Sequence, residues 1–185
     1  MSHAMIAGPA GNLEIAVSGP DSPRALAVIC HPHPLAGGTM SNKVVTSTER
    51  ALVELGFRCL RFNFRGTGHS SGTHDHGIGE QDDVRAVAAH LRALHPGLPL
   101  LLAGFSFGAF VSAHVAVRHP RCDWSVLQPD ADEVVSPAAV YDWVAHLDPA
   151  PRLHRFPECS HFFHGQLNAL RDVVQAHVRE ASWWT

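Results

Sequence analysis

Apolar positions along the chain fall into two alternating patterns. Near-continuous runs at Arg24 to Cys30, Phe57 to Phe64 and Leu98 to Ala103 predict core strands, since a strand covered on both faces has no polar side. Between them, apolar residues recur at helical spacing. Val44, Val45, Thr48, Ala51, Leu52 and Leu55 predict a helix stopped by Gly56, and Val84, Val87, Ala88, Leu91 and Leu94 predict another ending before Pro96-Gly97. A third helix is expected from Ser106 to about Arg118. Trp124 to Gln128 and Arg152 to Phe156 predict further strands, Pro137 to His146 a helix with proline in its first turn, and Leu167, Leu170, Val173, Val174 and Val178 a closing helix. Asn12 to Val17 is a candidate antiparallel edge strand.

Repeated strand–helix units predict an α/β fold: a three-layer α/β/α sandwich around a mostly parallel sheet, because parallel neighbours need a crossover and the crossover is usually a helix. No linker, repeat or low-complexity stretch interrupts the chain, so a single domain over 1–185 is expected.

Composition narrows the function classes. With 185 residues, 45% hydrophobic and 17% charged, the chain is long enough to bury a substantial core. Its formal charge is −3, Lys43 is its one lysine and it has no basic run, which argues against nucleic acid and anionic membranes as partners. No apolar stretch approaches the ~20 residues of a membrane span. Met1 to Leu13 lacks the charged start and apolar centre of a signal peptide, so a cytoplasmic location is expected. Cys30, Cys59, Cys122 and Cys159 are scattered and read as reduced, buried thiols.

The candidate chemistry lies at Gly104-Phe105-Ser106-Phe107-Gly108, between a buried strand and a helix. At such a junction the chain must reverse sharply, and glycines on both sides let the two backbones pass closely while the serine hydroxyl is lifted over the sheet. A serine hydroxyl is a weak nucleophile near neutral pH. Ser106 as nucleophile therefore requires a base and an acid further along the chain. Asp130, Asp132 and Glu133 follow one strand, and His161 and His164 lie in a loop after the last strand.

Five segments taken in order resemble an α/β-hydrolase, near the small lidless serine hydrolases of the dienelactone hydrolase group. They are residues 29–43 (ICHPHPLAGGTMSNK), 61–70 (RFNFRGTGHS), 104–108, 130–135 (DADEVV) and 160–165 (SHFFHG). The resemblance covers nearly the whole chain and implies a Ser-His-Asp triad with no cofactor or metal. It puts His161 in the base position and Asp132 in the acid position, with Pro129 standing where relatives commonly carry the glycine of Gly-x-x-Asp; Asp130 is the competitor. Glu133 is expected to begin the next helix, where negative charge suits the dipole.

Two backbone N–H donors should meet the oxyanion. Phe107 supplies the first. In the loop His31-Pro32-His33-Pro34-Leu35 the prolines have no N–H, which leaves His33 or Leu35, and the resemblance favours His33. Leu35, Phe105 and Phe162 are candidate substrate-contacting residues, with Phe107 and Phe163 as further apolar walls. Three other readings carry less weight. His31 with His33, and His74 with His76, lack a second cluster at metal-ligand spacing. Residues 65–70 lack the lysine and third glycine of a phosphate loop. Trp183 and Trp184 are either an interaction surface or a packed chain end.

The expected function is a serine hydrolase acting on a small acyl substrate, a carboxylic ester or thioester; the alternative is a non-catalytic binding or scaffold domain on the same fold. One departure stands out. Ser106 and Asp132 are separated by less chain than in superfamily relatives, which usually insert a strand and helix there. Either the sheet is short or a segment near 118–124 is missing.

Overall fold

Ala25–Cys30 is buried at every position, as a strand flanked by two others and covered above and below must be. The computed structural model describes residues 2–117, 124–181 and 184. Two compact units emerge, Met1–Pro120 and Arg121–Thr185.

In the first unit, Ser2–Gly8 (β1), Gly11–Ser18 (β2), Ala25–Cys30 (β3), Phe57–Phe62 (β4) and Leu100–Gly104 (β5) form one sheet in the order β1-β2-β4-β3-β5. The sheet is mixed: antiparallel at β1–β2 and β2–β4, parallel at β4–β3 and β3–β5. Residues 2–8 carry no strand expectation from sequence, yet β1 is the sheet edge and β2 is internal, contrary to its expected edge position. A run such as SHAMIAG, short of β-branched residues, takes its extended form from pairing with β2, with Gly8 opposite Gly11 at the turn.

Helices lie on both faces of this sheet, as the alternation of side chains along a strand requires. Leu26, Val28, Cys30, Leu60 and Phe62 pack with Val84, Val87 and Leu91 of Gly79–Leu94 (α2) and Val111 and Val115 of Phe107–Ala116 (α3). The opposite side chains of β4 face Lys43–Glu54 (α1): Arg61 Nε stands 2.8 Å from Glu49 Oε1, both nearly buried, and the Ser18 hydroxyl donates to the same carboxylate. Asn42 caps α1 by accepting the Val44 N–H at 2.8 Å.

The second unit holds a parallel pair, Ser125–Pro129 (β6) and Arg152–Phe156 (β7), with Pro137–Ala145 (α4) between them in sequence and Leu167–Glu180 (α5) after them. Ser136 caps α4 through its hydroxyl, ahead of Pro137. Trp124 packs edge-on against Trp143, ring centres 5.7 Å apart. Among the described residues no helix is long and apolar enough to cross a membrane. The thiols of Cys30, Cys59 and Cys159 are free and buried. Cys122, Trp183 and the question of a missing segment near 118–124 fall outside the described residues, Trp124 excepted.

Candidate active site

Strand register determines which loops meet. Cys30 lies opposite Gly104, so the chain leaves β3 and β5 at the same end of the sheet, and the Phe105 N–H continues the ladder to the Cys30 carbonyl at 3.1 Å. There the chain reverses into α3 through Ser106, at φ 54 and ψ −117. A non-glycine residue held at such a φ costs on the order of 1–3 kcal/mol and persists only where its surroundings impose it. The imposing contacts are backbone. A Cβ on Gly104 would come within 2.3 Å of the Gly108 carbonyl carbon, and one on Gly108 within 2.4 Å of the Cys30 oxygen. Both glycines are thus steric requirements of the elbow.

Two N–H groups beside this turn have no hydrogen-bond partner among the described residues: Phe107, the first residue of α3, and His33. The His33 to Gly38 loop explains the second. Ala36 and Gly38 donate to the His33 carbonyl at 3.1 and 3.0 Å, and Leu35 donates to His33 Nδ1 at 3.2 Å. The Leu35 amide is therefore occupied, while the His33 amide is not. The rings of His33 and Phe107 lie 4.9 Å apart.

His31 is fully buried and structural. Phe64 N–H donates to its Nε2 at 3.0 Å and its Nδ1 is 2.6 Å from the Pro32 carbonyl, which implies the neutral Nδ1–H tautomer. The ring thereby pins the loop after β3 to the chain leaving β4. Burial pushes its pKa down to about 4, against the opposing pull of the Pro32 carbonyl. The sign follows from linkage: the unfolded chain takes up this proton near 6.5 and the folded chain only near 4, so stability is full above about 6.5 and falls on acidification. Chemical denaturation at pH 7.5 and 4.5 should show a loss of about 3 kcal/mol from this group. His31→Asn should lose correspondingly less over the same interval; an identical loss in the variant would reject the assignment.

In the second unit, His161 Nδ1 is 2.8 Å from Asp132 Oδ2, with side chains only 5% and 3% exposed. Asp132 is held by several donors: Val134 and Val135 N–H to Oδ1 at 2.9 and 2.7 Å, and Gln128 Nε2 to Oδ2 at 3.3 Å. Burial alone would raise its pKa, but the Val135 N–H, the His161 ring and the Val134 N–H outweigh it and hold the carboxyl below the usual range. An ionised Asp132 accepts only, so Nδ1 of His161 carries the proton and Nε2 is the nitrogen suited to receive one.

The competing acid is engaged elsewhere. Asp130 accepts a two-pronged contact from Arg155 at 3.0 and 2.9 Å and a bond from the Tyr141 hydroxyl. Glu133 does not begin a helix. α4 starts at Pro137 behind its Ser136 cap, and the Glu133 carboxylate instead accepts the His161 backbone N–H at 3.1 Å, tying the acid loop to the histidine loop. His164 Nδ1 meets the Ser160 hydroxyl at 3.4 Å.

The candidate substrate-contacting residues separate. Leu35 is 73% exposed, and Phe162 is 40% exposed with its ring edge-on to His161 at 5.0 Å. Phe105 is buried, as is Phe163, which packs on Phe156. Sequence reasoning missed the supports of the site: Gln128 beneath Asp132, and Glu80 beside His74. Gln128 stands in no motif position, and Glu80, one helical turn before Val84 on the buried stripe of α2, is an acid at a position where the stripe is otherwise read from apolar residues. Among the described residues no group of three or more His, Cys, Asp and Glu could hold a metal ion.

Comparisons with known proteins identify the family and the fold. The family profile described as serine aminopeptidase, S33, matches residues 21–127, more than half the chain. The crystal structure of XC6422 from Xanthomonas campestris, described as an α/β serine hydrolase without lid, is 46% identical with a TM-score of 0.88, over 96% of this chain and 93% of that one. An α/β serine hydrolase homologue from Coxiella burnetii is 37% identical with a TM-score of 0.91, over 97% of both chains. Among curated proteins, the uncharacterised protein RP471 of Rickettsia prowazekii is 41% identical over 116 residues, 62% of this chain; the match spans about half of that relative, 49% of its length. The chain belongs to the serine aminopeptidase S33 family, and its fold is that of the α/β-hydrolases.

Proposed function

We propose that the protein is a serine hydrolase that cleaves a small carboxylic ester or thioester through an acyl-enzyme. In this reading His161 takes the Ser106 proton, Ser106 Oγ attacks the substrate carbonyl carbon, and the carbonyl oxygen becomes an oxyanion met by the N–H groups of Phe107 and His33. The tetrahedral species collapses, its C–O or C–S bond breaks, and His161 returns the proton to the leaving group. Water, activated by the same imidazole, then releases the acid and frees Ser106. Asp132 holds the ring in the useful tautomer and offsets the charge it gains.

The observation that carries this reading is the φ of 54 at Ser106, kept by backbone contacts that admit only glycine on either side. Such strain at a serine between a strand and a helix matches the geometry of a nucleophile elbow. The Xanthomonas relative is described as lacking a lid, and a site likewise open to solvent would favour small acyl groups.

Aminopeptidase activity, which the family description suggests, fits less well. Recognition of a free amino terminus requires a carboxylate near the scissile bond. The groove beside the His33 loop is lined by no Asp or Glu, and Glu80 behind it is fully buried and engaged by backbone N–H groups.

Fluorophosphonate labelling followed by intact-mass measurement tests the proposal. The wild type should gain one adduct, Ser106→Ala none, and His161→Ala should react far more slowly. A folded wild type that takes no label would point to the binding or scaffold alternative.

A further inference from the structure

Three rings meet beside the elbow, each from a different loop of the first unit. His33 follows β3, Phe107 opens α3 after β5, and His74 precedes α2. Ring centres are 4.9 Å apart between His33 and Phe107, 5.1 Å between His33 and His74, and 5.4 Å between His74 and Phe107. Every pair is at packing distance, so the rings close a triangle. Two of its corners are the residues whose backbone N–H groups have no hydrogen-bond partner among the described residues.

Each corner is anchored from behind. The His33 ring is tied to its own loop, since Nδ1 accepts the Leu35 N–H at 3.2 Å. The Phe107 ring meets Phe64 edge-on at 5.7 Å. His74, its side chain 7% exposed, holds Nδ1 3.0 Å from Oε1 of the fully buried Glu80, off the line of an aligned hydrogen bond but within close electrostatic reach. Glu80 is itself fixed, because the Asp75 and Gly77 N–H groups donate one to each of its oxygens, both at 2.8 Å. Asp75 in turn accepts the Gly79 N–H at 3.0 Å through Oδ2 and the Ile78 N–H at 2.9 Å through its carbonyl. Residues 74–80 therefore form a closed turn of hydrogen bonds, a stiff base for one imidazole. Negative charge suits the first turn of a helix wherever it points; burial at Glu80 follows from what its carboxylate holds.

We propose that His74 is a positioning residue: its ring, clamped by Glu80, is the wedge that sets the His33 loop and the first turn of α3 relative to each other, and with them the spacing of the two free amides. The inference rests on the serine hydrolase reading, in which those amides meet the oxyanion. His74 touches no reacting atom in this reading. Donors aimed before reaction lower the barrier most, and a displacement of about 1 Å can cost about 10²-fold in rate. The oxyanion is absent from the bound substrate, so lost alignment lowers kcat and kcat/KM together and leaves KM unchanged.

The test uses p-nitrophenyl acetate, with active sites counted by fluorophosphonate labelling carried to completion so that only folded, competent enzyme enters kcat. His74→Ala should lower kcat per site by on the order of tenfold to a hundredfold at an unchanged KM. His74→Phe keeps a ring in the wedge and should recover most of that loss. An active wild type whose kcat per site survives in His74→Ala overturns the positioning role, even where the melting temperature falls, and so does a His74→Phe no better than His74→Ala. Should His74→Ala not fold, Glu80→Gln carries the same test, because it keeps the shape of the clamp and removes the charge beside Nδ1: kcat per site should fall severalfold with KM unchanged, and an unaltered kcat overturns the role. A wild type that neither labels nor cleaves any ester overturns the hydrolase reading itself, and the positioning role with it, since no oxyanion then forms.

Discussion

Ser106→Ala should lower kcat on any ester the wild type cleaves by on the order of 10⁴- to 10⁶-fold, the range seen when the nucleophile of a triad is removed. Alanine keeps the Cβ, so the strained φ of 54 and the contacts of Gly104 and Gly108 are unchanged. Thermal stability should accordingly stay within about 1 kcal/mol of the wild type. That pairing gives the measurement its force. A steady-state assay that finds Ser106→Ala within tenfold of the wild type, on protein free of wild-type contamination, would remove Ser106 from the chemistry.

Asp132→Asn should cost about 10⁴ in kcat. The physical cause is the tautomer. The Oδ1 side accepts the Val134 and Val135 N–H groups, and an asparagine carbonyl can keep both bonds. Its NH₂ then turns toward His161 Nδ1, where only a lone pair can receive it, and the proton moves to Nε2. A ring protonated at Nε2 cannot accept from a hydroxyl. Asp130→Asn is the internal comparison, because Asp130 is bound to Arg155 and Tyr141 and should leave kcat within a fewfold. Equal losses in the two variants, or a larger loss at Asp130, would reassign the acid.

The strands legible in the sequence were those buried on both faces. Ala25–Cys30, Phe57–Phe62 and Leu100–Gly104 read as apolar runs because nothing polar is tolerated there, and α1 and α2 read from their stripes. Ser2–Gly8 did not, since an edge strand with small and half-exposed side chains has no periodic signature; its hydrogen bonds come from β2. Glu133 was misread for a related reason. Helix-start logic considers only neighbours in sequence, whereas its partner is the main chain of His161, twenty-eight positions away.

Ser106, Gly104 and Gly108 could be recognised without coordinates because backbone sterics at a strand–helix reversal dictate them locally, within five residues. Which acid meets which histidine could not be, since Asp130 and Asp132 are chemically alike and two residues apart. Tertiary structure decided it by giving Arg155 and Tyr141 to the first and the N–H groups of Val134 and Val135 to the second. The same holds for His31, His33 and His74. As residue types they are interchangeable; burial against Phe64, ring packing on Phe107 and a buried carboxylate at Glu80 give the three different surroundings. Local sterics and periodic burial are written in the order of residues, while the partner of a polar group depends on where distant segments meet.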